Sequence, residues 1–279
     1  MTTYEIPKPG LPGEALLIGV VGSMASGLNR PGSDVDRAGV YAAPTVAFGW
    51  MGDPPRDSVT WMAPDPDLCV YEAGKYAGMV LGCNPAAVEL LWLPEYDVLH
   101  PLAAELVKHR AALLCAEHVR LAYIGAARSL LSSLVPNPGP LTRMARPEVR
   151  RKTARKMLYL LWQGLGLYCT GELPVRVDDP DVFHDFGERC AGPGQWRHAE
   201  EMLHRYTSDF AAAKSPLPPG SKPARAFMHS WVAEVRDTFT PDAGLRERLE
   251  ELAGRWAGQH RDNAGAFAEE LRTLLEETR

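Results

Sequence analysis

Residues 16–41 read LLIGVVGSMASGLNRPGSDVDRAGVY, and this stretch decides the fold prediction. Its first six residues are apolar and partly β-branched, which is typical of a buried strand. The apolar run stops at Gly22-Ser23, where a polar turn rich in Gly, Asn and Pro begins. A second apolar run opens at Asp34 and continues to Tyr41. The segment therefore predicts two strands, about residues 16–21 and 34–41, joined by a turn.

Two carboxylates stand at the start of the second predicted strand. Side chains alternate along a strand, so Asp34 and Asp36 are expected on one face. Carboxylates this close repel each other unless a cation lies between them, and Mg²⁺ prefers such oxygen ligands. Upstream, Gly22-Ser23 offers backbone N–H groups and a hydroxyl at the end of a strand, an arrangement that can bind phosphate. The segment thus predicts a metal site and a phosphate site joined by one turn.

These residues carry a resemblance to a known superfamily. Gly22-Ser23, Gly27 and S-D-V-D at 33–36 resemble the signature of the DNA polymerase beta-like nucleotidyltransferases. The longer string at 22–44 is similar to a bacterial and phage branch labelled "predicted nucleotidyltransferase", the RlaP-like branch. Residues 67–92 support the resemblance with D-L-C-V-Y-E, K-Y, G-C-N-P and E-L-L-W, and a looser similarity covers 152–173.

The resemblance implies a fold and a set of site residues. The implied fold class is α+β, a small mixed β-sheet nucleotidyltransferase core with helices, followed by an all-helical C-terminal region. Three carboxylates would bind two Mg²⁺ (or Mn²⁺) ions in a two-metal mechanism, two from the D-x-D pair and one from a neighbouring strand: Asp34, Asp36 and Asp67. Glu72 is the competitor of Asp67, although it has the opposite strand parity and an acid there suits the start of a helix. The implied nucleotide-binding residues of this segment are Gly22, Ser23 and Ser33.

The longest helical pattern, residues 147–171, opens with a basic run. Several of its cations are i,i+4 neighbours, and like charges at this spacing destabilise a helix unless an anion is nearby. The run is therefore either a contact for a triphosphate or a nucleic-acid backbone, or a solvated face. The candidate phosphate ligands are Lys152, Arg155 and Lys156. The branch has His and Arg where this chain has Lys156 and Tyr159, but Gly171-Glu172-Leu173 is retained.

The remaining elements follow from periodicity and from the positions of Pro and Gly. Two more strands are predicted at 67–71 and 97–99, a short helix at 44–52 and a loop at 53–66. Further helices are predicted at 72–81, 86–93, 102–114, 117–131, 147–171, 178–192, 195–214, 224–238, 242–258 and 264–278. The proline-rich break at 135–147 predicts a boundary between a catalytic domain, residues 1–135, and a helical domain, residues 147–279.

Composition narrows the functional classes. The chain has 279 residues, 46% of them hydrophobic, and a formal net charge of -5, so no overall basic field attracts nucleic acid. Five cysteines without a C-x-x-C pair suggest reduced thiols and a cytoplasmic protein. No leader pattern and no apolar run of about 20 residues appear, so a membrane partner is not expected. A P-loop, a G-x-S-x-G elbow and zinc-ligand spacings are also missing.

The expected activity is transfer of an NMP from a nucleoside triphosphate, ATP among the candidates, to a hydroxyl acceptor with release of pyrophosphate. The acceptor stays open between an RNA end, a protein side chain and a small molecule. Glu89 is either a support of the site or a solvated acid of an amphipathic helix. The alternative to an enzyme is a non-catalytic nucleotide-binding or antitoxin-like protein with the same fold.

Overall fold

The structure, a computed structural model, describes residues 11, 13–48, 60–64, 67–135, 146–192 and 194–240. Within these ranges the strands are β1 (Glu14–Val20), β2 (Arg37–Ala42), β3 (Thr60–Pro64), β4 (Asp67–Glu72) and β5 (Val98–Leu99). The helices are α1 (Gly22–Ser26), α2 (Ala73–Leu81), α3 (Pro85–Glu89), α4 (Pro101–Lys108), α5 (Ala116–Leu134), α6 (Pro147–Thr170), α7 (Pro180–Arg189), α8 (Arg197–Ala212) and α9 (Lys222–Thr238). Short 3₁₀ helices cover Thr45–Phe48 and Arg110–Leu113.

The five described strands form one mixed sheet in the order β3-β4-β2-β1-β5. Strands β2 and β4 are parallel, and every other neighbouring pair is antiparallel. Parallel neighbours need a long crossover, and here it is the chain between β2 and β4 that includes β3. The α+β prediction with a small mixed sheet followed by helices is therefore confirmed.

The helices cover one face of the sheet and build most of the core. Apolar residues of β1 and β2 share one buried cluster with those of the helices up to α9. A smaller cluster lies on the other face of the sheet around Ile18, Tyr41 and Val70. The predicted boundary between two domains falls largely at 136–145, outside the described residues, so the division into 1–135 and 147–279 stays a prediction. No helix in the described part of the chain has the length and apolar character needed to cross a membrane.

Helix α6 forms the centre of the helical region. Pro147 occupies its first turn, where the missing N–H costs nothing, and Gly171 ends it with φ 78°. Four residues on its core side, Ala154, Met157, Leu158 and Leu161, are buried. The helix packs between α5 on one side and α7 and α8 on others.

Several predicted elements need correction. The second strand begins at Arg37 instead of residue 34, because its partner β1 ends at Val20 and the ladder stops there. Residues 60–64 of the predicted loop form β3, an edge strand in which a terminal proline is tolerated. The helix predicted at 86–93 ends at Glu89, and the one at 102–114 becomes α4 and a 3₁₀ turn. The helices predicted at 242–258 and 264–278, and residues 53–59, lie outside the described residues.

Candidate functional site

Three chain segments meet at one edge of the sheet. In the ladder, Val20 at the end of β1 lies opposite Arg37, and Arg37 lies beside Leu68 of the parallel strand β4. One step earlier along the two parallel strands stand Asp36 and Asp67. The end of β1 leads directly into α1, so the glycine-serine turn begins at the same edge. The backbone of the sheet therefore places the predicted metal-binding residues next to the predicted phosphate-binding turn.

The glycine-serine turn lies directly against Asp36. Gly22 has φ +70°, a conformation that favours glycine, and a Cβ placed on it would lie 2.8 Å from Oδ2 of Asp36. The N–H of Val21 donates a hydrogen bond to the carbonyl oxygen of Asp36 at 3.0 Å. Ser23 follows in the first turn of α1. Any larger residue at position 22 would push the carboxylate away from the turn.

The two aspartates of the D-x-D pair precede β2, so the strand alternation used to predict their common face does not apply. Asp34 is exposed and Asp36 partly buried. Neither carboxylate has an ion pair or hydrogen bond with a described residue. The adjacent cation, Arg37, donates from Nε to Asp97 at 3.1 Å. Acids without an ion pair to a described cation can bind a metal ion, and Asp36 lies directly against the glycine-serine turn.

For the predicted third acid, Asp67, the structure describes only the backbone. Asp67 is the first residue of β4, and its side chain lies outside the described residues. Among the side chains that are described, no three Asp, Glu, His or Cys residues group closely enough to hold a metal ion. The metal triad Asp34, Asp36 and Asp67 therefore stays a prediction. Ser33 shapes the loop, since its hydroxyl accepts a 2.9 Å hydrogen bond from the N–H of Arg30.

Glu72, the competing third acid, has structural partners at the other end of β4. Its carboxylate accepts a 2.7 Å hydrogen bond from the N–H of Gly74 and caps α2. It also pairs with Arg236 of α9 at 2.5 Å, and Glu72 is only 6% exposed. The guanidinium of Arg236 stacks on the ring of Phe48, 3.9 Å from its centroid. These contacts give Glu72 the task of joining α9 to the sheet.

The basic run of α6 separates into residues with different surroundings. Arg155 is partly buried, and one of its N–H groups donates to Nδ1 of His184 on α7 at 2.9 Å. Lys152 and Lys156 are exposed, whereas Arg151 pairs with Glu188. Of the predicted phosphate ligands, Arg155 is thus the one held in a fixed position.

Arg155 has a second arginine, Arg30, close enough to affect its pKa, and among the described residues it forms no ion pair with an acid. Burial and the nearby Arg30 lower the pKa of Arg155. Burial, Arg155 and Arg30 also lower the pKa of His184, against a smaller opposite effect of Asp181 and Asp185. His184 is therefore neutral at physiological pH and can accept the hydrogen bond from Arg155. An arginine whose pKa is lowered by a second arginine, without an ion pair to a described acid, favours an anion nearby.

Arg176 is a candidate site residue that sequence reasoning missed. A Cβ placed on Gly27 would lie 3.5–3.7 Å from the Cγ, Nε and Cζ atoms of Arg176. The N–H of Val177 donates a 3.0 Å hydrogen bond to the carbonyl oxygen of Ser26. The segment after α6 thus lies against the end of the glycine-serine turn. Its sequence signal is weak, since Arg176 is a lone cation a few residues after the retained G-E-L motif.

The other family motifs meet near this segment. Nε1 of Trp92, in the E-L-L-W motif, donates to the carboxylate of Glu172 in G-E-L at 2.7 Å. Arg110 donates to the same carboxylate at 2.9 Å and stacks on the indole of Trp92. Glu89, the first residue of E-L-L-W, faces Tyr159 of α6. The motifs outside the glycine-serine turn therefore fix the segment that follows α6.

Glu89 is a partly buried acid whose protonation is shifted, and it is not a solvated residue of an outer helix face. Burial raises the pKa of Glu89 to about 7, against opposing effects of the Tyr159 hydroxyl and Lys156. Tyr123 of α5 lies close enough for Glu89 to raise its pKa further. The fold thus favours the protonated carboxyl group.

We expect protein stability to depend on the pH through Glu89. A folded-state pKa above the unfolded value means that stability falls as the pH rises, by at most about 3 kcal/mol between about pH 5 and 8. Glu89→Gln mimics the protonated carboxyl and should lose this component. Urea unfolding of both proteins across the pH range measures it, and parallel stability curves would contradict the assignment.

The mixed sheet, the glycine-serine turn against Asp36 and the strand start at Asp67 fit the polymerase beta-like nucleotidyltransferase class that the motifs resemble. The family model of the RNA repair pathway DNA polymerase beta family, RlaP, matches residues 12–180, more than half of the chain. The chain belongs to this family. Searches of the curated proteins and of the solved structures found no match. The family implies nucleotidyltransferase-type activity in general, without naming the substrate, the acceptor or the metal.

Proposed function

We propose that the protein transfers a nucleoside monophosphate from a nucleoside triphosphate to a hydroxyl group, with release of pyrophosphate. The acceptor is an RNA end, a protein or a small molecule. The observation that carries the proposal is the approach of Gly22 to the Asp36 carboxylate, at the edge of the sheet where β4 also begins. A phosphate held by the turn would lie next to the acids.

The acids fit a divalent cation by their chemistry. Asp34 and Asp36 have no cationic partner among the described residues, and hard oxygen donors suit Mg²⁺ or Mn²⁺. Asp34, Asp36 and Asp67 would hold the metal, which when bound stabilises charge on the phosphates and lowers the pKa of a nearby hydroxyl. Asp67 is the group proposed to accept the proton of the attacking hydroxyl. The hydroxyl oxygen attacks the α-phosphorus in line, and the bond to pyrophosphate breaks.

The basic residues would bind the triphosphate from the other end of α1. This helix of five residues begins beside Asp36 and ends beside Arg176, and it is only about 7 Å long. A triphosphate on Gly22 and Ser23 can therefore reach Arg176. Guanidinium groups form strong charge-assisted hydrogen bonds with phosphate oxygens. Lys152, Lys156 and Ser33 remain candidates for weaker contacts at the rim.

Replacing Arg176 should weaken phosphate binding specifically. Arg176→Gln removes one charge-assisted contact, worth about 1.5 kcal/mol, so we expect about tenfold weaker binding. Calorimetry with inorganic tripolyphosphate measures this independently of the base and of turnover. Arg120→Gln is the matched control, since Arg120 pairs with Glu117 on α5 and should leave the affinity unchanged. Equal affinities of Arg176→Gln and wild type would remove Arg176 from the site.

A pyrophosphate-release screen tests the activity. Each of the four nucleoside triphosphates is supplied with Mg²⁺ and with cell extract as the source of acceptor. We expect release with at least one nucleotide, above an extract-only reaction, and loss of release after chelation of the metal. A protein that binds nucleotide in calorimetry but releases no pyrophosphate would instead be the non-catalytic alternative.

A further inference from the structure

We propose that Tyr159 is a positioning residue of the nucleotidyltransferase site. Its hydroxyl fixes the carbonyl group of Val175 and thereby sets where Arg176 lies against the glycine-serine turn. Tyr159 does not touch the predicted substrate position and acts through the segment 172–177. The role deepens the proposed function, although the anchoring itself does not depend on it.

The Tyr159 hydroxyl has three polar neighbours and a single proton. It donates to the carbonyl oxygen of Val175 at 2.6 Å, a short hydrogen bond that commits this proton. It accepts from Nε2 of Gln163 at 2.8 Å. The third neighbour, Oε1 of Glu89, lies farther away, at 3.4 Å, and competes with Val175 for the same proton. The shorter distance to Val175 and the donor Gln163 therefore orient the hydroxyl toward Val175.

The segment after α6 is held at two points, with Arg176 between them. Val175 is fixed by Tyr159 of the helical region, and Val177 is fixed by the carbonyl oxygen of Ser26 in the turn. Both valines are buried, at 8% and 5% exposure. Arg176 between them is exposed and lies over Gly27. The alternation and the two hydrogen bonds together determine the direction of the Arg176 side chain.

The polar contact of Tyr159 can be removed without disturbing its packing. The ring lies 5.9 Å from that of Trp162 and 6.4 Å from that of Phe183. Tyr159→Phe keeps these contacts and deletes only the hydroxyl. The matched control is Tyr76→Phe, because Tyr76 is also buried and its hydroxyl donates to the carbonyl oxygen of Ala87 at 3.0 Å. Both variants lose one buried hydrogen bond to a carbonyl, but only the first loses it next to Arg176.

Hydrogen exchange measured by mass spectrometry tests the anchoring without nucleotide. In Tyr159→Phe, peptides spanning 172–178 should exchange at least about tenfold faster than in wild type, because local opening becomes easier. Tyr76→Phe should leave these peptides unchanged. Should Tyr159→Phe not fold, Gln163→Leu removes the orienting donor and carries the same expectation. Unchanged exchange at 172–178 in the folded variant would overturn the proposal.

A double-mutant cycle separates positioning from general destabilisation. Tyr159→Phe should raise the KM for Mg·NTP about tenfold with a smaller change in kcat, and Arg176→Gln should do the same. The KM of the double variant should be no higher than that of the more impaired single variant, since both changes remove the same contact. Independent addition of the two effects would overturn the proposal. A wild-type protein that binds no Mg·NTP would contradict the proposed function, while the exchange comparison would still decide the role of Tyr159.

Discussion

Asp36→Asn should lower the rate of NMP transfer by at least about a thousandfold, on the scale of losing a charged group that acts in the transition state. Asp36 lies against Gly22, where the phosphate and the metal are proposed to meet. The amide keeps the size of the side chain but removes the negative charge that attracts the cation. Transfer of α-labelled NMP at saturating nucleotide measures kcat directly.

Glu95→Gln is the control for this experiment. Glu95 is an exposed acid just before β5, close to the same edge of the sheet. Its replacement changes the net charge by the same amount but should alter kcat less than about threefold. A loss in Glu95→Gln comparable to that in Asp36→Asn would mean that net charge, and not a specific metal ligand, explains the effect. Transfer by Asp36→Asn close to the wild-type rate would contradict the mechanism.

Glu72→Gln should destabilise the protein by about 3 kcal/mol and leave the chemistry intact in the molecules that remain folded. The change leaves the guanidinium of Arg236, 20% exposed, without its carboxylate, and breaking such a pair is costly. Glu105→Gln is the control, because Glu105 pairs with Lys108 on the surface and should cost less than about 1 kcal/mol. Denaturant unfolding measures both variants.

The same variant distinguishes the two candidates for the third acid. If Glu72 only joins α9 to the sheet, kcat per folded Glu72→Gln molecule equals that of wild type. If Glu72→Gln were as stable as wild type but no longer transferred NMP, this interpretation would be wrong. In that case Glu72, and not Asp67, would belong to the metal site.

Local patterns were sufficient to predict the elements that carry the site. The apolar run ending at Gly22-Ser23 predicted β1, and the alternating residues after Asp67 predicted β4. The family resemblance supplied the α+β architecture. The start of β2 was wrong because alternation cannot show where a partner strand ends. The strand at 60–64 was missed because its edge position, which tolerates Pro64, follows from tertiary structure.

The contacts between distant segments could not be predicted from the sequence. Arg176 reaches the turn because Val177 pairs with Ser26, and nothing near either residue indicates this pairing. For Glu89 the sequence left two interpretations open until the structure placed Tyr159 beside it. Charge spacing on α6 predicted Arg155 among the phosphate ligands, but its neighbour Arg30 comes from a loop more than a hundred residues earlier. Which distant residues meet depends on tertiary packing, and the local sequence periodicity does not reveal it.

The most direct test of the central claim follows two labels in one reaction. Wild-type protein, Mg²⁺ and the preferred nucleotide, labelled at either the α- or the γ-phosphate, are combined with the acceptor fraction. The account predicts that α-label becomes attached to the acceptor, with one pyrophosphate released for each label. Attachment of γ-label, or release of inorganic phosphate without attachment, would show a different reaction and contradict nucleotidyl transfer.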